Sequence, residues 1–351
     1  MLNRRHLLTT GAAAAATPFI AGCQSVSART LEDGSILGHG DYRYRINRAW
    51  GEAAAQTVSI KNAHEMVMDR RNRLFLLTDH IDNNIIVYDR SGRLLDHWTL
   101  NLPGAHGLTI NEEGGEEFLY ITDIKNGRTL KTDLAGNIVL EIADPRSTGI
   151  YSNPHDPWRP TETAIGPNGD IYIADGYGSQ WILQYNARGE FIRKFGGQSI
   201  REGKFLQVHG ITLDTRDPSN PQLIATARIK NAFKFFTLDG EYIRTLHLPG
   251  AYVSRAVIHD GLIYTGVCFS SDKPYAVPRE TGFVMIIDEN EKVVSNPGGT
   301  EPIYKNGRAP VMIQAEPVFI HPHDVCVDGD TNLYIPQWRA NGIPPIQLER
   351  I

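Results

Sequence analysis

Four stretches of the chain set a histidine five residues ahead of a polar turn residue. N-A-H-E-M-V-M-D carries His64 and Asp69, G-A-H-G-L-T-I-N carries His106 and Asn111, Q-V-H-G-I-T-L-D carries His209 and Asp214, and H-P-H-D-V-C-V-D carries His323 and Asp328. Imidazole both exchanges protons near neutral pH and ligates first-row metals. With 12 histidines in 351 residues, composition alone fills a given slot with histidine about 3% of the time. A recurring slot of this kind reflects either inheritance through duplication or convergence of the side chains on one point in space.

Aligned on that slot, the chain divides into six units that begin at His64, His106, Thr161, His209, Arg255 and His323. Each unit is a short apolar strand, a turn of Asn, Gly or Asp, a second strand, a loop, and a hairpin, mostly around D-x-x-G. Units of about 40–50 residues with four strands apiece are propeller blades, and helical periodicity is absent. The sixth unit ends at I-P-P-I-Q-L-E-R-I, short of its outer strand. D-Y-R-Y-R-I-N-R-A-W, residues 41–50, supplies that strand and removes the open edge. The expected fold is all-β, a six-bladed β-propeller over residues 41–351 with its ring closed by an N-terminal strand.

In such a ring the equivalent slots face one channel, so His64, His106, Thr161, His209, Arg255 and His323 would surround it. His106, His209 and His323 come from alternate blades, spaced by about 120° around a six-fold axis. Three imidazoles with an open fourth position is how catalytic Zn²⁺ is held, and Fe and Cu also suit imidazole. His64 would crowd one side of that triad and is read as a repeat-inherited or supporting residue.

The chain has 35 Lys and Arg against 40 Asp and Glu. It carries no phosphate-seeking basic patch, which argues against nucleic acid as a partner. Residues 1–22 read as an export signal, with Arg4 and Arg5 before an alanine-rich apolar stretch, in the manner of twin-arginine signals. Ile20-Ala21-Gly22-Cys23 resembles a bacterial lipobox. Acylation of Cys23 would anchor a monomer to a membrane of the cell envelope or periplasm, with residues 23–40 as a linker. Cys268 and Cys326 lie in apolar runs and read as buried small hydrophobes.

The motifs A-H-G-L at His106, V-H-G-I at His209 and P-H-D-V at His323 resemble the peptidyl-α-hydroxyglycine α-amidating lyases, relatives of the NHL-repeat propellers. So does I-Y-I-A-D-G-Y-G-S-Q-W-I-L-Q-Y-N-A-R-G-E-F-I-R-K-F-G, and the likeness spans roughly residues 60–340. It implies zinc on the three histidines and structural calcium on Asp324 and the backbone carbonyls of Leu108 and Met66. It also implies a catalytic tyrosine at Tyr177 and an active-site arginine at Arg228 in A-T-A-R-I-K-N. A second catalytic arginine of the family falls on Asp79, whose carboxylate repels anions and offers no donors; the adjacent His80 is an ionisable substitute.

The resulting expectation is a metal-dependent lyase that cleaves a C–N or C–O bond of a small carboxylate-bearing substrate, peptide or oligosaccharide. Tyr177 would move the proton and Arg228 would hold the carboxylate or oxyanion. A uronate lyase or lactonase is a second reading of the same ring, and a lipid-anchored binding platform without catalysis a third. His155 and His321 receive no role.

Overall fold

The computed structural model describes residues 31–273, 276–278, 280–339 and 342–351. They form six antiparallel sheets arranged as the blades of a propeller. Blade 1 runs Ala63–Met68, Leu74–Thr78, Ile85–Tyr88 and Leu94–Trp98. Blades 2, 3 and 4 repeat this meander, opening with Ala105–Glu113, Glu162–Ile165 and Val208–Asp214. Blade 5 opens with two short strands, Ala251–Val253 and Val257–His259, both paired to Leu262–Ser270.

Stacked blades bury their middle strands on both faces, so these strands read as unbroken apolar runs instead of alternating. Leu74–Thr78 and Ile171–Ala174 are buried at every position. The outermost strands meet water and lose that pattern: in Leu94–Trp98 the three central residues are exposed. The outer hairpins are fixed by a side chain. Asp89 Oδ1 accepts from the Ser91 and Arg93 amides, and Asp133 Oδ1 from those of Ala135 and Asn137. Gly92 and Gly136 take the left-handed position that follows, at φ 84° and 89°. Among the described residues, helical structure is confined to Glu52–Ala55 and a 3₁₀ turn at Arg228–Lys230.

Ring closure occurs as the sequence implied. Tyr42–Asn47 pairs with Ile346–Arg350 in blade 6, with Tyr44 opposite Arg350 and Ile46 opposite Leu348. One boundary is corrected. Ile36–His39, within the stretch expected to be linker, is a fifth strand paired to Tyr42–Asn47. Leu37 is the reason: it buries itself in the cluster of Tyr44, Ile46 and Leu348. The His39 amide also bonds Ser295 Oγ at the edge of blade 5. The export signal and Cys23 lie outside the described residues.

Closure by a buried strand predicts a sharp contrast between two truncations. Ile46→Ala, at a site 1% exposed, should cost about 2–5 kcal/mol of unfolding free energy. Ile36→Ala, at a site 49% exposed, should stay within about 0.5 kcal/mol. Urea denaturation of the two variants checks this.

Candidate metal centre

His64, His106 and His209 reach the axis through breaks in strand pairing. Ala63 faces Thr78 and Glu65 faces Leu77, so His64 is an extra, unpaired residue. Ala105 faces Asp123 and Leu108 faces Ile121, which sets His106 and Gly107 against Thr122 alone. Val208 and Ile211 bracket His209 and Gly210 in the same way. Such bulges re-aim a side chain out of the ladder. The glycine that follows is a steric requirement: a Cβ on Gly107 would stand 2.4 Å from Thr161 O, and one on Gly210 2.6 Å from Arg255 Cα.

Four imidazoles meet as a result. Ring centroids are 5.0 Å apart for His64 and His106, 4.9 Å for His64 and His323, and 4.8 Å for His106 and His323. His209 lies 4.8 Å from both His106 and His323. Nitrogens of His64, His106 and His323 lie within 4.8 Å of one another. The sequence reading assigned the ligand trio as His106, His209 and His323 and left His64 aside. The rings of that trio are 4.8 Å apart throughout, and the geometry adds His64, whose nitrogens group with those of His106 and His323.

The donor set suits a borderline metal. All four side chains are buried, and burial pushes every imidazole below its usual range, His64 to about 3. Neighbouring histidines and Arg228 add to the effect, leaving neutral rings with free lone pairs, the form a metal requires. His106 Nδ1 donates to Thr161 O at 2.8 Å and His323 Nδ1 to His64 O at 3.0 Å, so each Nε2 is the unprotonated nitrogen. His64 Nδ1 and both nitrogens of His209 are buried without a protein partner.

One residue further along the inner strands, the chemistry changes. Arg255, expected level with the histidines, lies instead beside Glu65, Glu162 and Asp324, each the residue after a ring position. Ser254 takes the histidine level, where its Oγ accepts from Arg228 Nη2 at 3.0 Å. The inner edge of blade 5 is also broken, between Val253 and Val257. The oxygens that the resemblance gives to calcium meet Arg255 here. The Asp324 carboxylate and the carbonyls of Leu108 and Met66 receive the N–H groups of Arg255, so their lone pairs already face a cation. Burial, with the Glu162 charge behind it, raises the Glu65 carboxyl well above its usual range.

Beside the histidines opens a cavity of about 350 Å³, lined by Tyr177, Arg228, Ile124, Ile229, Phe269 and Trp338 among others. Tyr177 Oη stands 3.4 Å from His106 Nε2 and 3.4 Å from Arg228 Nη1. Burial raises its pKa and the Arg228 charge opposes that, leaving a protonated phenol. Its loop is clamped by Asp175, which accepts from Tyr151 Oη, the Arg159 amide and the Ser179 amide. Arg228 is 2% exposed and donates to Val253 O and Ser254 Oγ. Among the described residues no carboxylate pairs with it. A buried guanidinium without a counter-ion is a site prepared for an anion.

Asp79 is engaged at the rim by Asn62 and Lys61. Asp79 and His80 are absent from the described cavity lining. His155 is exposed. His321 is buried, with Nδ1 facing Cys268 O and its ring against Phe269 and Trp338. Cys268 and Cys326 are free and buried, as expected, and Cys268 lines the cavity. The aromatic wall of Phe269 and Trp338 had no signal in the sequence, because both residues stand outside the repeated motifs.

A six-bladed propeller with a buried polyhistidine centre and an arginine-tyrosine mouth defines the class. No family model matches the chain. It is 26% identical over 269 residues to rat peptidylglycine alpha-amidating monooxygenase, covering 74% of this chain and 24% of that protein. It is 26% identical over 170 residues to the probable peptidyl-alpha-hydroxyglycine alpha-amidating lyase pgal-1 of Caenorhabditis elegans, covering 44% of this chain and 47% of the relative. Mouse NHL repeat-containing protein 3 matches at 22% identity over 200 residues, 55% of this chain and 57% of that one. The match thus spans about a quarter of the rat enzyme's length. Among solved structures, a streptogramin B lyase superposes with TM-score 0.54 at 14% identity, over 91% of this chain and 99% of that one. A Xanthomonas campestris gluconolactonase gives 0.56 at 10% identity, over 87% and 89%. These structural likenesses speak to the fold, and the sequence relatives support an NHL propeller of the amidating-lyase-like kind.

The depressed histidines make a signed prediction for metal-free protein. Below the unfolded value of 6.5 the unfolded chain takes up protons that the folded rings refuse. Stability is therefore full above pH 6.5 and falls as pH drops toward the folded values. Urea midpoints should decline between pH 7.5 and 5.5, by at most about 1.4 kcal/mol per pH unit for each histidine held neutral. His209→Gln should flatten that slope, whereas an unchanged slope would mean that His209 already binds a proton in the fold.

Proposed function

We propose that the chain is a metal-dependent lyase acting on a small carboxylate-bearing substrate, with the C–N cleavage of an α-hydroxyglycine derivative as its model reaction. The observation that carries this is Tyr177 Oη, held 3.4 Å from both His106 Nε2 and Arg228 Nη1 at the wall of a cavity. His64, His106 and His323, with His209 adjacent, would hold the metal. When bound, it would supply Lewis-acid polarisation of a substrate oxygen.

The protein's own groups account for the remainder. Arg228 Nη1, the guanidinium nitrogen not committed to Val253 or Ser254, receives the carboxylate. In an α-hydroxyglycine amide the hydroxyl loses its proton as C=O forms, the C–N bond breaks, and the departing nitrogen gains a proton. The products are glyoxylate and an amide. A phenol kept protonated by burial serves as a relay, giving its proton to the nitrogen while taking that of the hydroxyl. Phe269, Trp338, Ile124 and Ile229 keep bulk water from the reacting bond and accept an apolar part of the substrate.

Glyoxylate release from α-hydroxyglycine peptides by zinc-loaded protein tests the reading. Tyr177→Phe should lower kcat by about 10²-fold or more, and Arg228→Met should lower kcat/KM for carboxylate substrates by about 10-fold or more. Elemental analysis should find about one metal per chain, lost in His106→Ala. Metal-loaded protein that releases no glyoxylate would overturn the model reaction, and wild type that purifies stably without metal would overturn the metal centre.

The N-terminus supports a location for this activity. Arg4 and Arg5 would direct export of the folded protein, and acylation at Cys23 would hold it at a membrane of the cell envelope. Radiolabelled palmitate should enter the wild-type protein, and Cys23→Ala should abolish the label and release the protein from the membrane fraction. Label persisting in Cys23→Ala would refute the anchor.

A further inference from the structure

We propose that Arg255 is a permanent built-in cation that occupies, in place of a divalent metal ion, an oxygen-donor site at the axis of the propeller. Its guanidinium makes a two-pronged bond to one carboxylate, Nε to Asp324 Oδ1 at 2.9 Å and Nη2 to Asp324 Oδ2 at 2.8 Å. Nη1 donates to Leu108 O at 2.7 Å and Nη2 to Met66 O at 3.2 Å. Glu65 Oε2 and Glu162 Oε2 stand 3.4 Å and 3.8 Å from Nη1. Three carboxylates and two backbone carbonyls converging on one buried point is the hard-oxygen set that holds Ca²⁺.

The planar five-donor guanidinium answers that set with hydrogen bonds instead of coordination, and its charge is never lost. Being covalently tied to blade 5, it needs no binding step and no free ion. It links four other blades at once: Met66 and Glu65 of blade 1, Leu108 of blade 2, Glu162 of blade 3 and Asp324 of blade 6. It also lines a separate cavity of about 320 Å³ with Thr109, Thr163 and Thr212.

The experiment uses the metal alone as probe, on zinc-loaded protein in buffers freed of other divalent ions. Added Ca²⁺ should leave the thermal midpoint of wild type unchanged. Arg255→Ala should melt lower and regain about 5 °C or more with saturating Ca²⁺. The Arg255→Ala, Asp324→Asn double variant should lose that rescue. If Arg255→Ala folds only when refolded with Ca²⁺, the proposal is equally supported. Two results overturn it: saturable stabilisation of wild type by Ca²⁺, with Arg255 displaced toward the second cavity, or an Arg255→Ala protein that Ca²⁺ neither stabilises nor helps to fold. The wild-type titration decides even if the variant cannot be made.

Discussion

Six inner strands that close on one axis cannot all project large side chains at the same height. Packing at crystal-like density leaves no slack for it, and the chain resolves the conflict level by level. At the first level the large groups are His64, His106, His209 and His323, with the smaller Thr161 and Ser254 between them. One residue on, Gly107 and Gly210 remove two side chains altogether, and the space goes to Glu65, Glu162, Asp324 and Arg255. The H-G pairs of blades 2 and 4 are this constraint written in sequence.

The two levels differ in how they manage charge. The histidine level is kept uncharged by burial and by its own crowding, so that each ring keeps one nitrogen lone pair free of a proton. The level below is ionic, and its excess acidity is met by one guanidinium. Arg228 stands outside both, buried and bonded only to neutral oxygens among the described residues. A cation with no internal counter-charge next to neutral imidazoles gives the mouth a positive potential, which is what an anionic substrate would seek. The apolar wall of Phe269 and Trp338 lowers the local dielectric and strengthens that attraction.

Much of this is legible in the sequence. The slot shared by His64, His106, His209 and His323 gave the repeat, and the short sixth unit pointed to Tyr42–Asn47 as the closing strand. Tyr177 and Arg228 were reached by resemblance and meet at the same cavity. The failures have a common origin in register. Arg255 stands one residue away from the level that the repeat gives it, beside Glu65, Glu162 and Asp324, and nothing in A-Y-V-S-R-A-V-I-H marks that offset. Nothing local says that the arginine of one blade points at the carbonyls of two others, Leu108 and Met66. An idealised three-fold ring leaves no place for His64, whereas the actual chain brings four rings together.

What the sequence by itself determined was the kind of structure and the inventory of groups: strand periods, turn residues and a histidine slot are local, and each repeats often enough to be read. Which of those groups share a point was decided only by the closed ring. Bulges and strand breaks shift side chains by a single residue, and their cost is set by steric fit to neighbouring blades hundreds of residues away. Identity is therefore written along the chain, whereas height along the axis exists only once the first blade has met the last.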